Sequence, residues 1–232
     1  MIREFFFKIF FYLGFIFICF IFLPSLIMPS KIASFGGRLI GYWVKICLRM
    51  FLSTKIIVQG LENIEKNSKF FIACTHQSQF ETYFLQTLFD SPFFVLKKEL
   101  IKIPVFGFFL KKIGCISIER GKTTKNNLNF YEKIKKSVSK ATNPLIIFPQ
   151  GTRYNVTERP DFKKGVSRIY NLQIKCLPIV LNSGIVWPKN GRMQKNQELI
   201  ISILKPFDIG LNDKVFLKEL QTIMYKELDR II

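Results

Sequence analysis

From position 9 to 23 the chain is unbroken apolar apart from Gly14, and with Pro24 and Ser25 tolerated the run continues to 28. As a helix, about twenty residues span about 30 Å, the thickness of a bilayer's hydrocarbon core. Arg3 and Lys8 precede the run, so a cleaved signal peptide has to be weighed. No small-x-small cleavage site follows cleanly, and Pro24 and Pro29 interrupt, which favours a retained anchor. A second segment, 32–52, mixes Tyr42, Trp43, Lys45 and Arg49 with apolar residues, as suits a helix in or near the membrane interface. Residues 1–53 therefore read as an N-terminal membrane-anchoring helical hairpin. The pattern leaves open whether it spans the bilayer or dips into one leaflet.

After position 54 the pattern changes. Short runs rich in β-formers at 56–58, 70–75, 93–96, 115–118, 145–148, 177–181 and 199–204 predict strands. Between them, Leu128, Tyr131, Ile134 and Val138 mark an amphipathic helix over 123–141, and 212–232 makes another. Alternating strands and helices predict an α/β core. With 232 residues, 49% of them apolar, the chain is long enough for one such core and too short for two large ones, so 54–232 reads as one catalytic domain.

Lys and Arg number 35 against 16 acidic residues, a formal charge of +19, which calls for an anionic partner. Part of this excess reflects a chain biased toward Lys, Ile, Phe and Asn. No zinc-finger spacing, RNP-like aromatic motif or isolated basic tail points to nucleic acid, and an anionic membrane surface fits better. Five scattered cysteines with no Cys-x-x-Cys pair predict reduced core residues rather than a metal or redox site.

His76 is the only histidine, so any chemistry needing an imidazole has one place to go. It follows a buried-looking strand, and Glu81 lies five residues on, where a carboxylate can fold back onto the ring. A carboxylate accepting from one ring nitrogen fixes the tautomer and leaves the other nitrogen to take a proton from a substrate hydroxyl. Against this stands the plainer view that a lone histidine at a strand end caps a helix. Three further strands shift the balance, since their exits carry Glu119-Arg120-Gly121, Gln150-Gly151-Thr152-Arg153 and Asn182-Ser183-Gly184. Arginines and turn amides at strand ends suit a phosphate. Ser78 reads as a helix-start residue, because no Gly-x-Ser-x-Gly elbow exists, and Cys74, among Phe71, Ile72 and Ala73, as an inert thiol.

In their order and spacing over 58–207, these four segments resemble the four motif blocks of the glycerolipid acyltransferases, the family that includes 1-acylglycerol-3-phosphate acyltransferases. The resemblance implies a mixed β-sheet flanked by helices, of the glycerol-3-phosphate acyltransferase type. It implies His76 as general base and Glu81 as its partner, in a place usually held by Asp. It places Arg120, Gly151, Thr152 and Arg153 around the acceptor's phosphate, with Lys97 as a helper. Gln150 stands where the family usually has Glu, removing a negative charge beside that site, and its role stays open. The fourth block, 177–180, is expected to be structural or acyl-facing, and backbone N–H groups near Gly151 are expected to hold the oxyanion.

The expected reaction moves an acyl group from acyl-CoA or acyl carrier protein to the sn-2 hydroxyl of 1-acylglycerol-3-phosphate, with no metal and no cofactor. The expected setting is a membrane, the bacterial inner membrane with the site facing the cytoplasm. Two alternatives remain: an acyltransferase for another lysolipid, such as a lyso-ornithine lipid, and a non-catalytic basic membrane or nucleic-acid binder.

Overall fold

The computed structural model describes residues 2–65, 68–118 and 130–232. The N-terminal run forms α1 (Ile2–Ile21), beginning earlier than the apolar stretch because Glu4 and Lys8 pair one turn apart at 2.7 Å. It ends before Pro24, and a 3-10 turn at Leu23–Leu26 leads to α2 (Ser30–Leu52). Among the described helices α1 alone is long and apolar enough to cross a membrane. Phe5, Phe6, Phe10, Phe17 and Phe20 are exposed along it, an apolar face suited to lipid.

The opposite face of α1 is not lipid-facing. Phe7 and Phe11 are fully buried, stacked on each other and set edge-on against Trp187 at 5.1 and 5.5 Å. Burial of each ring contributes about 1.5–3 kcal/mol. The Trp43 indole N–H donates to the carbonyls of Phe10 and Phe11, and Gly14 is what admits the ring: a Cβ there would lie 2.2 Å from Nε1. Helix α2 in turn lies close against α3 (Phe80–Leu88), because at Gly41 a Cβ would meet the Tyr83 carbonyl oxygen at 2.6 Å.

All seven predicted strands are present: β1 (Lys55–Gln59), β2 (Phe70–Cys74), β3 (Phe93–Lys97), β4 (Ile116–Ile118), β5 (Leu145–Ile147), β6 (Lys175–Leu181) and β7 (Glu198–Ile203). They form one sheet in the order β1-β7-β6-β2-β5-β3-β4. Only β6 and β7 pair antiparallel, so β2 to β6 run one way while β1 and β7 run the other. The sheet is mixed and flanked by helices on both faces.

Alternation along the strands builds two cores. Ile72, Cys74, Leu177 and Ile179 face the hairpin, α3 and Trp187, whereas Phe71, Ala73, Cys176 and Val180 face the other side. There they meet α6 (Gly165–Tyr170) and the C-terminal α8 (Asp213–Ile231), with α5 (Phe130–Lys140) and the short α7 (Ser183–Val186) completing the order after α4 (Phe106–Lys112). Central strands buried on both faces read as continuous apolar runs, which is how β2, β5 and β6 look in the sequence.

Candidate active site

Because β2, β3, β5 and β6 run in parallel, their C-terminal ends come out along one edge of the sheet. In such sheets that edge is where ligands bind. There the chain delivers His76 after β2, Lys97 at the end of β3, residues 150–153 after β5, and Asn182 and Ser183 after β6. Arg120 lies outside the described residues.

His76 is 8% exposed and firmly held. Its backbone N–H donates to Gln150 Oε1 at 2.6 Å, and its carbonyl accepts from Tyr154 N at 3.0 Å. The ring stacks on Phe148 with centroids 3.9 Å apart and planes 16° apart. Nδ1 faces Glu81 Oε2 at 3.7 Å, within ion-pair reach though longer than an N–H···O hydrogen bond. Nε2 is on the opposite edge of the ring.

Glu81 is fully buried in the first turn of α3, where the helix's N-terminal end favours a carboxylate. It accepts from the N–H groups of Gln77 and Ser78 at 3.0 Å and from the Ser183 hydroxyl at 2.5 Å. The Ser78 hydroxyl in turn accepts from Phe80 N at 3.2 Å, just before the helix begins. Ser183 is a partner of the carboxylate that the sequence did not reveal. Its signal, an Asn-Ser-Gly exit, means nothing until β6 is known to lie beside β2.

The imidazole borders a cavity of about 480 Å³. Arg153 and Lys97 stand in its wall with His76, Gln79, Thr82 and Gln86 add neutral polar groups, and most of the rest is apolar: Phe15, Ile18 and Phe22 from the hairpin, Phe106, Phe109 and Leu110 from α4. Ala33, Gly36 and Ile40 of α2 line it too. Tyr83 also borders it, and burial holds its phenol above the ordinary range, with the Arg153 charge opposing. Lys97 pairs with Glu99 at 3.4 Å.

Gly151 and Thr152 form the turn that leads to Arg153 and are not in the cavity wall. Gly151 has φ +78°, a left-handed conformation that glycine adopts without strain. Its N–H donates to the Phe148 carbonyl at 2.9 Å, so it is committed to the turn rather than offered to an oxyanion. Gln150 is 1% exposed and likewise absent from the wall. Cys74 is fully buried, and burial raises its thiol well above the ordinary value, as expected of an inert core cysteine. Among the described residues no three of His, Cys, Asp and Glu are grouped to hold a metal ion.

Residues 55–182 match the family model described as Acyltransferase. The chain belongs to the acyltransferase family. It is 35% identical over 144 residues to a 1-acyl-sn-glycerol-3-phosphate acyltransferase of Pseudomonas aeruginosa, covering 62% of this chain and 55% of that protein. The chain thus spans about half the length of that relative. A Helicobacter pylori protein of the same name is 27% identical over 187 residues, covering 79% of this chain and 78% of that protein. The 1-acyl-sn-glycerophosphate (LPA) acyltransferase PlsC from Thermotoga maritima shares its fold, with TM-score 0.79 at 19% identity over 99% of this chain and 97% of that one.

Proposed function

We propose that this acyltransferase moves a fatty acyl group from an acyl thioester, carried by coenzyme A or acyl carrier protein, to the sn-2 hydroxyl of 1-acylglycerol-3-phosphate. The product is phosphatidic acid. One observation carries the reading: a single cavity holds an imidazole backed by a buried carboxylate, two cationic side chains, and an apolar interior. A phosphate, a hydroxyl and an acyl chain are the three parts of such an acceptor, and the names of the relatives agree.

In the mechanism, Arg153 and Lys97 take the phosphate, with Arg153 able to offer two parallel N–H bonds. His76 Nε2 accepts the proton of the sn-2 hydroxyl as its oxygen attacks the thioester carbonyl. The Glu81 carboxylate holds the ring and stabilises the imidazolium as it forms. Collapse of the tetrahedral intermediate expels the thiolate, which takes the proton back from the imidazolium. Oxygen gains the acyl group, sulfur gains the proton, and no acyl-enzyme is needed. The +19 charge and the exposed aromatic face of α1 support a setting at an anionic membrane; the cytoplasmic side of a bacterial inner membrane is the setting proposed.

The deciding experiment is mass-spectrometric detection of phosphatidic acid from lysophosphatidate and an acyl thioester. His76→Ala is expected to lower turnover on the order of 10³-fold, the scale of general-base assistance. Wild-type turnover in the variant sinks the mechanism. A wild-type protein that acylates only a different lysolipid moves the substrate assignment.

A further inference from the structure

Gln150 sits in the block expected to hold phosphate, yet it is 1% exposed and absent from the cavity wall. A side-chain amide offers an acceptor on one side and a donor on the other. The acceptor is used by the backbone N–H of His76, at 2.6 Å. On its other side lies Tyr225 of α8, whose phenol is raised by burial while the Gln150 side chain opposes that shift. The Tyr225 hydroxyl donates its proton to the Pro160 carbonyl, so toward Gln150 it can only accept. The amide therefore fits in one orientation, with oxygen to His76 and nitrogen to Tyr225.

Tyr225 is itself fixed. It is 8% exposed, Phe162 packs edge-on to it at 5.1 Å, and the Arg159 guanidinium lies 5.5 Å over its ring. Gln221, one turn earlier on α8, accepts from Phe162 N at 2.8 Å. This helix lies wholly outside residues 55–182, the part that matches the family model.

We propose that Gln150 is a positioning residue for His76, and that Tyr225 of the C-terminal helix sets the orientation in which it works. The inference rests on the assignment of His76 as general base. Without the amide oxygen, the 8%-exposed His76 N–H loses its acceptor, and the strand exit that aims the imidazole relaxes.

The test uses the full-length chain in detergent. Gln150→Met, close in shape but lacking both polar atoms, is expected to lower kcat about tenfold, with KM for lysophosphatidate and for the thioester within about twofold. Gln150→Glu keeps an acceptor and is expected to recover most of that loss. Tyr225→Phe is expected to cost about threefold, and the Gln150→Met/Tyr225→Phe double variant to be no worse than Gln150→Met alone, because both act through one link. Hydrogen exchange at the peptide holding residues 75–78 is expected to quicken in Gln150→Met and not in Gln150→Glu, with exchange elsewhere unchanged. A raised acceptor KM with intact kcat in Gln150→Met, a Glu variant as impaired as Met, multiplying effects in the double variant, or unchanged local exchange each overturns the proposal. The exchange arm is independent of turnover, so a wild type that makes no phosphatidic acid refutes the substrate assignment and leaves this link still decided.

Discussion

The two ends of the cavity are built on opposite principles. At the polar end the central pair is pinned by hydrogen bonds: His76 by Gln150 and Tyr154, Glu81 by Gln77, Ser78 and Ser183. At the apolar end nothing is pinned by direction, and Phe22, Ala33, Phe106 and Phe109 define the space by shape alone. Directional bonds fix an atom to within tenths of an ångström, as proton transfer needs. Shape excludes what is too large and is indifferent to register, as suits a flexible chain.

The contrast makes a sharp claim: changes at the polar end should lower turnover for every acyl chain alike, and changes at the apolar end should alter which chains are used. After the loss of His76 itself, the largest effect should come from Glu81→Gln, which removes the charge that steadies the imidazolium. It is expected to cost on the order of 10² in kcat, the low end of general-base assistance, at all chain lengths. A loss restricted to long chains would erase the distinction. Arg153→Ala is expected to raise the acceptor KM about 10- to 100-fold, the worth of a lost charged hydrogen bond, while kcat moves less. A KM unchanged within error would remove Arg153 from phosphate binding.

Ala33→Phe, which fills space in the wall of the apolar end, is expected to leave the shortest usable thioesters turning over nearly as before. Discrimination against longer ones should grow by about fourfold for each methylene excluded, from about 0.8 kcal/mol per CH₂. A uniform loss across chain lengths would show that the two ends are not separable. The smallest effect is expected from Ser183→Ala, which takes one donor from Glu81 and leaves two backbone donors in place. A three- to tenfold drop in kcat should accompany a midpoint lower by a few degrees, because about 1 kcal/mol shifts Tm by about 2–4 °C in a chain this long. Kinetics identical to wild type would assign that hydroxyl to packing.

Much of this was legible in the sequence, for identifiable reasons. Strands buried on both faces leave continuous apolar runs, so β2, β5 and β6 stood out. Asn212 announced α8, whose N-cap it is, its side chain accepting from Lys214 N at 3.0 Å. Of the helix expected at 123–141, the stretch Phe130–Lys140 is present and 123–129 falls outside the described residues. The strand expected to reach 148 stops at Ile147, because Phe148 leaves the ladder to lie under the His76 ring. The pairing of His76 with Glu81 was readable because five residues separate them. Ser183 and Tyr225 were not, since only strand order and helix packing bring them near. Gln150 looked like an altered charge beside a phosphate, and only burial reveals it as a link inside the fold.

The aromatic contact between α1 and Trp187 also bears on how the molecule is made. Phe7 and Phe11 are made well before their partner, and the ring that covers them comes only after six of the seven strands have been synthesised. The sheet edge waits as well, since among the described strands β1 pairs only with β7. Such distant partners slow folding and prolong the exposure of sticky surface. Until Trp187 is made, an apolar phase such as lipid is what can cover Phe7 and Phe11 of the nascent hairpin.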